Sequence, residues 1–392
     1  MDTTLAVNPG SSSKKYALFR EGRMIFSVLF EHVGDGYGKC VEVDGERQQC
    51  EEVTAGLYAM SLQHAVALAQ QKGILSAGEE VTNIGVRIVA PGIYFEKHRI
   101  IDAQYIEKLH SIEDAAPLHI PHVVSELTSL QELFPKVQKI GVSDSAFHST
   151  VPEHTRKYSI PTADAEKFEL YRYGYHGLSV SSVVSQAKEK LGIFPKRAIV
   201  CHVGSGVSVT TLLNGESVDT TMGFSPTSGL MMGSRAGDLD SSALLYLMKK
   251  KDLSPLQAEK YINEQGGFIG AFGQSDLRIV LDRMARGDRA AKTAVTMYTH
   301  QIKKAIGAGV ATLGGIDLLI LTATAAERNP MVRSLICSGL EGLGIVLDVQ
   351  MNEACMGHTG SLSNETQATK IFVLHTSEMN EISREANVFI GL

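Results

Sequence analysis

No run of about 18 uncharged apolar residues occurs anywhere in the 392-residue chain, so a membrane-spanning helix is not expected. The opening residues, Met1-Asp2-Thr3-Thr4, are acidic rather than basic and pass into a strand-like segment, which does not read as a secretion signal. Dense positive charge is also missing: 37 Lys and Arg against 43 Asp and Glu leave a formal charge of -6, with the signs interspersed. Nucleic acid is therefore not an expected partner, although a local basic site for a small anion is compatible with this balance. The five cysteines, Cys40, Cys50, Cys201, Cys337 and Cys355, form no CxxC pair, and their odd number argues against a disulfide framework. Free, mostly structural thiols in a reducing cytoplasm are expected. The 13 histidines show neither HExxH nor HxH spacing, which disfavours a zinc site, and GxSxG and GxxxxGK[ST] are absent as well.

What is present is apolar material for a large core, at 44% hydrophobic residues, and a length that suits two domains. Many of the 37 glycines sit beside short Ser/Thr runs at the ends of apolar segments. Leu5 to Asn8, the turn Pro9 to Ser13, and Tyr16 to Phe19 read as strand, tight turn, strand, with Glu21-Gly22-Arg23 turning into a third strand from Met24 to Phe30. A similar unit returns at Ala198 to Cys201, His202 to Gly206 and Val207 to Leu213, followed by an Asn214-Gly215 hairpin turn. Two such units suggest a duplicated architecture with a cleft between the copies. Periodicity predicts helices over 55–72, 180–190, 241–249, 255–263 and 288–307, and strands over 84–89, 139–142, 317–321 and 371–374, with a helical tail. The mixture is α/β.

The turn from Asn8 to Lys14 offers a carboxamide, hydroxyls, backbone N–H groups and an ammonium, a set that can hold a phosphate or a hydrated cation. A plain surface turn would have the same composition. Arg87 lies within a predicted strand, where its charge needs a partner; a carboxylate is the ordinary one and a bound phosphate or carboxylate the functional one. Arg172 and Arg235 stand in glycine- or histidine-bearing segments and pose the same question. His119 and His148 lie in polar or turn-like ground, where for any one histidine taken singly a hydrogen-bonded structural role is more ordinary than a catalytic one.

Taken together, Asn8 to Ser13, Pro117-Leu118-His119, Asp144 to His148, Tyr173 to Gly177, Cys201 to Gly204, Asp219 to Gly237 and Gly339 to Asp348 resemble the acetate kinase family in order and spacing. The most specific part is Gly223-Phe224-Ser225-Pro226 with Gly229 to Arg235. The resemblance implies the two-domain actin-like ATPase (ribonuclease H-like) fold with a duplicated core and central cleft. It places one domain at 1–148 plus 376–392 and a nucleotide-side domain at 149–375. It also implies a homodimer that exchanges a phosphoryl group between ATP and acetate, or another short-chain carboxylate, with Mg2+. Residue by residue, it assigns Asn8, Asp144 and Glu378 to the metal; Arg87, Asp144, His176, Arg235 and His119 to catalysis; and Val89, Leu118, Tyr175 and Pro226 to the acyl pocket. Ser12, Lys14, His202, Gly204, Ser205, Gly206, Asp276, Arg278, Thr324, Ala325 and Ala326 fall on the side of the nucleotide and its phosphates.

Acetate is already ionised at neutral pH, so attack on phosphorus needs alignment of two anions and charge neutralisation rather than a strong base. Two arginines, a histidine and a metal meet that need. The departures from the family lie mainly on the nucleotide side. Ser205 replaces an asparagine, and Ala323-Thr324-Ala325-Ala326-Glu327-Arg328 stands where Ala-Gly-Ile-Gly-Glu-Asn is usual, so two glycines that admit close approach of nucleotide are gone. Ala90-Pro91 and Val180 replace histidine-bearing positions, and Tyr175 stands in place of phenylalanine. These changes keep three alternatives open: a pyrophosphate- and phosphate-dependent enzyme, a propionate or butyrate kinase, or a non-catalytic sensor or scaffold.

Overall fold

The computed structural model describes residues 2–10, 13–34, 36–75 and 81–391. The chain divides into two compact units, Met1–Ala146 with Ser377–Leu392, and Phe147–Thr376.

Among its described residues the first unit holds a nine-stranded sheet. Its strands are β1 Thr3–Pro9, β2 Ser13–Arg20, β3 Arg23–Val33, β4 Gly36–Val43, β5 Glu46–Arg47, β6 Glu51–Val53, β7 Asn83–Ile88, β8 Arg99–Ile100 and β9 Gln138–Ser143. The order is β5-β4-β3-β2-β1-β7-β9-β8, with β6 also on β4. The meander β3-β2-β1 is antiparallel, whereas β1, β7 and β9 run parallel. The second unit, among its described residues, has six strands: β10 Arg197–Val203, β11 Val207–Leu213, β12 Glu216–Thr220, β13 Leu318–Thr322, β14 Gly360–Ser361 and β15 Lys370–Val373, ordered β12-β11-β10-β13-β15-β14. Its antiparallel meander β12-β11-β10 likewise continues into parallel β13 and β15. The duplication suggested by two glycine-serine turns is thus a repeated sheet topology.

Alternation along the central strands of the first unit sorts side chains between two faces. Leu5, Val7, Tyr16, Leu18, Ile84 and Val86 enter the core formed with Leu62, Ala65, Leu127 and Leu130. On the other face the C-terminal helix Glu378–Ile390 packs across β1, β7 and β9. Thr4 Oγ1 and Asn83 Nδ2 both donate to Asn387 Oδ1, at 2.9 and 2.7 Å. In the second unit, Val180, Val183, Val184 and Ala187 of the helix Gly177–Leu191 pack with Ala198, Val200, Leu318 and Ile320. The histidine-to-valine departure at position 180 is therefore a core position.

Two sequence expectations need correction. The helix expected over 55–72 is broken at Met60 into Ala55–Ala59 and Ser61–Gln71. The buried stripe is Ser61, Leu62, Ala65 and Ala69, while Leu57, Val66 and Leu68 are half-buried and Met60 is exposed. Small residues allow this helix to lie close to the sheet, so the larger apolar residues mark its flank. Second, the thiols are not all free: Cys40 and Cys50 form a disulfide. Both β5 and β6 pair with β4, and this return of the chain brings Cys50 beside Cys40, a proximity that cysteine count and local spacing do not reveal. Cys201 and Cys337 are free and buried, and Cys355 is free and half-buried. No helix among the described residues is long and apolar enough to cross a membrane.

The seating of the C-terminal helix depends on Gly85. A Cβ there would lie 2.9 Å from Ala386 Cβ, Ile382 Cγ2 and the Ile382 carbonyl oxygen, so helix backbone would have to move. Gly85→Ala is expected to destabilise the fold by about 1–3 kcal/mol, the usual cost of overpacking. A urea titration should show a lower midpoint, and an unchanged midpoint would refute this packing constraint.

Candidate active site

Strand register gathers the first polar cluster. Val7 pairs with Val86 and Arg87 with Val142 across the parallel strands, so Asn8, Arg87 and Asp144 come together at the C-terminal ends of β1, β7 and β9. Glu378 joins them from the first turn of the C-terminal helix. Arg87 Nε and Nη2 donate to Asp144 Oδ1 and Oδ2, at 3.2 and 2.9 Å. Its Nη1 donates to Glu378 Oε2 at 3.2 Å and Asn8 Oδ1 at 3.4 Å, while Asn8 Nδ2 donates to the same Glu378 oxygen at 3.1 Å. Burial alone would push the guanidinium below its ordinary pKa, but the Asp144 and Glu378 charges outweigh it and hold the group well above. The cluster can orient anions through Arg87 and offers hard oxygen donors from three chain segments.

A network not anticipated from sequence supports Asp144. The Ser143 N–H donates to His98 Nδ1 at 3.0 Å, leaving Nε2 to face Glu385 Oε2 at 3.4 Å. Hydrogen bonding from His98, with a further contribution from Arg384, holds the Glu385 carboxyl below its usual range. His98 thus links the end of β9 to the helix that carries Glu378. It lies in an irregular segment with no local motif, so only the tertiary fold reveals it.

Several predicted residues take other places. Ser12 lies outside the described residues. Lys14 is on the core face of β2, opposite Asn8 and Arg87, where Nζ is 3.1 Å from Glu126 Oε2; Tyr16 donates to the other Glu126 oxygen at 2.8 Å. The parity of the strand makes Lys14 a structural ion-pair residue rather than a member of this cluster. Val89, Leu118 and His119 are half-buried in the first unit, His119 immediately before the helix Ile120–Leu133.

In the second unit, His176 caps the helix Gly177–Leu191 with φ +61°, a left-handed conformation unusual for a residue with a Cβ. Its ring stacks on that of His202 at the end of β10, with centroids 3.9 Å apart and planes 24° apart. The turn after His202 is closed by Gly204 N–H donating to Gly206 O at 3.0 Å, and Ser205 O accepts from Gly233 N–H at 3.3 Å. A Cβ on Gly206 would stand 3.0 Å from His176 Nε2 and 3.7 Å from Arg235 Nη1. The glycine therefore lets the histidine approach the turn backbone closely, with the arginine at ordinary contact distance. Arg235 Nη1 also donates to Pro226 O at 3.4 Å. Tyr175 is buried, and its hydroxyl donates to Phe224 O at 2.7 Å. His148, bonded to Ser217 Oγ and Tyr175 O, takes a buried structural position.

The turn after β13 begins with Ala323 at φ +69° and ψ 165°, a region that favours glycine. Glu327 holds it by accepting from Ala323 N–H at 2.8 Å and Thr322 Oγ1 at 3.3 Å, and from Thr376 N–H at 2.9 Å. Of the residues replacing family glycines, Thr324 is exposed but Ala326 is wholly buried. The Ala326 methyl therefore faces the interior, and its carbonyl accepts from Arg333 Nη1 at 2.6 Å. Arg333 is itself fully buried, and its other described bonds go to Asn352 Oδ1 and to the carbonyls of Glu327, Asn352 and Cys355. A charged residue in a short helix reads as exposed, so sequence gave no sign of this anchor. Asp276 caps the helix Leu277–Ala285 and pairs with exposed Arg278, whose hydrogen bond holds its carboxyl below the usual range.

A family model described as the acetokinase family matches residues 3–384. The acetate kinase of Dictyoglomus thermophilum is 35% identical over 395 aligned residues, covering 99% of each chain. The crystal structure of Porphyromonas gingivalis acetate kinase matches with a TM-score of 0.87 at 32% identity and covers 100% of both chains. That of a propionate kinase from Francisella tularensis subsp. tularensis SCHU S4 gives a TM-score of 0.90 at 29% identity, covering 99% of this chain and 100% of that one.

The Arg87–Asp144 contact is a charge-assisted, two-pronged pair, so its removal should be felt in stability. Asp144→Asn is expected to cost about 1.5–3 kcal/mol, the range for hydrogen bonds to charged groups. In a double-mutant cycle by urea unfolding, Arg87→Met combined with Asp144→Asn should lose less than the sum of the two single changes. Strict additivity would mean that the pair is not coupled.

Proposed function

Because this chain belongs to the acetokinase family and is a kinase that phosphorylates a carboxylate, we propose that it catalyses reversible phosphoryl transfer between ATP and acetate, giving acetyl phosphate and ADP. The observation that carries this reading is that each unit gathers an arginine with polar partners at the C-terminal ends of its parallel strands, Arg87 in one and Arg235 with His176 in the other. Such ends are the usual ligand position in α/β sheets.

In the proposed reaction the acetate oxygen attacks the terminal phosphorus directly. No proton has to be removed from acetate, so catalysis rests on bringing two anions into line and neutralising the equatorial oxygens. Arg87 and Arg235 orient carboxylate and phosphate, His176 donates to the transferring group, and His119 completes the set beside Leu118. Asn8, Asp144 and Glu378 supply a carboxamide and two carboxylates, donors that suit Mg2+, which takes few protein ligands and keeps water and phosphate oxygens. Bound there, the metal would shield phosphate charge. Val89 and Leu118 of the first unit and Tyr175 and Pro226 of the second are the residues proposed to recognise the acyl group, and His202, the 204–206 turn, Asp276, Arg278 and the turn at Thr324 and Ala325 those proposed to recognise the nucleotide.

ATP is favoured over pyrophosphate by the burial of Ala326: only one of the two added side chains, that of Thr324, stands where it could obstruct nucleotide. The assembly proposed is a homodimer. It is supported by the helix Ser241–Lys251, which has no buried residue and exposes Leu245 and Tyr246.

A hydroxamate assay with acetate, propionate and butyrate, run in parallel with ATP and pyrophosphate, tests the reaction. Acyl phosphate should form with ATP and acetate, and Arg235→Ala should lower kcat/KM more than tenfold, about 1.4 kcal/mol of transition-state stabilisation per decade. Product with pyrophosphate alone, or an unaffected Arg235→Ala rate, would overturn the proposal. The Tyr175 hydroxyl is already committed to the Phe224 carbonyl, so the ring rather than the hydroxyl should set acyl size. Tyr175→Phe should keep the acetate-to-butyrate preference within about threefold while Tyr175→Ala shifts it toward butyrate, a methylene in an apolar pocket being worth about 1–3 kcal/mol. A large change in preference on Tyr175→Phe alone would contradict this.

A further inference from the structure

We infer that Ser208 and Ser179 are positioning residues whose buried hydroxyls hold His176 and His202 as neutral imidazoles protonated on Nε2, so that His176 presents an N–H toward the 202–206 turn. This rests on the proposed placement of His176 at the transferring phosphoryl group.

The two contacts have the same form. Ser208, on β11, places Oγ 3.0 Å from His176 Nδ1. Ser179, in the first turn of the helix that His176 caps, places Oγ 2.7 Å from His202 Nδ1. Both serines are fully buried, so neither hydroxyl can turn to bulk water. Among the described residues, neither Oγ has a second hydrogen-bond partner.

That isolation decides the direction of each bond. A buried O–H needs an acceptor, and the imidazole nitrogen is the one within reach. If Nδ1 carried a proton, two hydrogens would compete for one contact, and the serine could satisfy the ring only by leaving its own hydrogen unpaired. With the serine donating, Nδ1 keeps its lone pair and the ring proton sits on Nε2. A doubly protonated ring would bring back the same conflict, so both rings are held neutral.

The surroundings turn this tautomer into a direction. Nε2 and Cε1 of His176 are the atoms that a Cβ on Gly206 would meet, at 3.0 and 3.1 Å, with Arg235 Nη1 close by at 3.7 Å. The N–H of His176 and the guanidinium of Arg235 therefore flank the same glycine. The stacked rings, 3.9 Å apart, restrain each other, so that a rotation of either disturbs both. The left-handed backbone at His176 persists only because its neighbours over-determine it, and the Ser208 bond is one such restraint. In the proposed reaction His176 then neither takes nor gives up a proton. It donates a hydrogen bond to phosphoryl oxygen, as suits an acceptor that is already an anion.

The test uses the full-length protein labelled with 15N-histidine and long-range 1H–15N correlation spectra. Resonances are assigned by their loss in His176→Gln and His202→Gln. The wild-type spectrum should show the Nε2–H pattern for both rings, and an Nδ1–H or doubly protonated pattern at pH 7 for either would overturn the inference without recourse to any other variant. Ser208→Ala should give an averaged tautomer pattern at His176. It should also lower kcat for acetyl phosphate formation by about tenfold or more with KM for acetate moved by less than about threefold, as expected when a transition-state contact is misaligned. Ser208→Thr should restore both readouts. Ser179→Ala should give the averaged pattern at His202. An unchanged His176 tautomer in Ser208→Ala would refute the positioning role even if activity fell. Undiminished turnover in His176→Gln would instead refute the placement of His176 at the phosphoryl group, and the spectra would judge the tautomer separately.

Discussion

The interaction on which the first unit depends is the fork of Arg87. A guanidinium carried on a central strand is costly to bury unless its charge is matched and its donors are used. Asp144 matches it from the end of β9, Glu378 from the C-terminal helix, and Asn8 from the end of β1. Because these partners come from separate segments, satisfying one arginine fixes several strand ends and a helix at once. Gly85, two positions earlier on the same face, makes this reach feasible by letting the helix lie directly on β7. Packing and electrostatics are not separable here: without the close approach of the helix, Glu378 could not face Arg87.

The second unit meets similar demands by other means. Its candidate groups are ordered by hydrogen bonds of several kinds: hydroxyls meet two imidazoles, the Glu327 carboxylate ties up backbone N–H groups, and buried Arg333 is surrounded by carbonyl oxygens. Burial holds that guanidinium below its usual pKa, in contrast with Arg87, which is raised by two facing carboxylates. One unit thus gathers its charges in an ion cluster around Arg87, while in the other the buried guanidinium of Arg333 is met by carbonyl oxygens and a carboxamide.

Much of the fold was legible because its signals are local. Turns at 21–23 and 214–215 bracket strands where the structure has them, and the long apolar-striped helix emerges at Arg289–Leu313. Motif order points to the candidate residues on strand ends, Asn8, Arg87, Asp144 and His202, and the register explains why Asn8, Arg87 and Asp144 meet in the first unit. What escaped was what only tertiary structure decides. The serine-rich turn ahead of Lys14 points it toward phosphate, yet strand parity sends it to Glu126. The family pattern points Ala326 toward nucleotide, yet the twist of a single helical turn buries it. His98, Glu385, Ser179, Ser208 and Arg333 carry no spacing signal, because their partners lie on other segments of the chain. The Cys40–Cys50 disulfide was missed for the same reason.

The C-terminal helix that completes the first unit belongs, in sequence, beyond the whole of the second. On a ribosome, the sheet of the first unit is made early and must wait for residues 378–390 before its Gly85 face is covered and Arg87 has both carboxylates. The intervening segment from 147 to 376 can reach its own core during that wait. A nascent chain therefore passes through a stage in which one face of this sheet and the guanidinium of Arg87 still lack the helix that meets both in the finished fold.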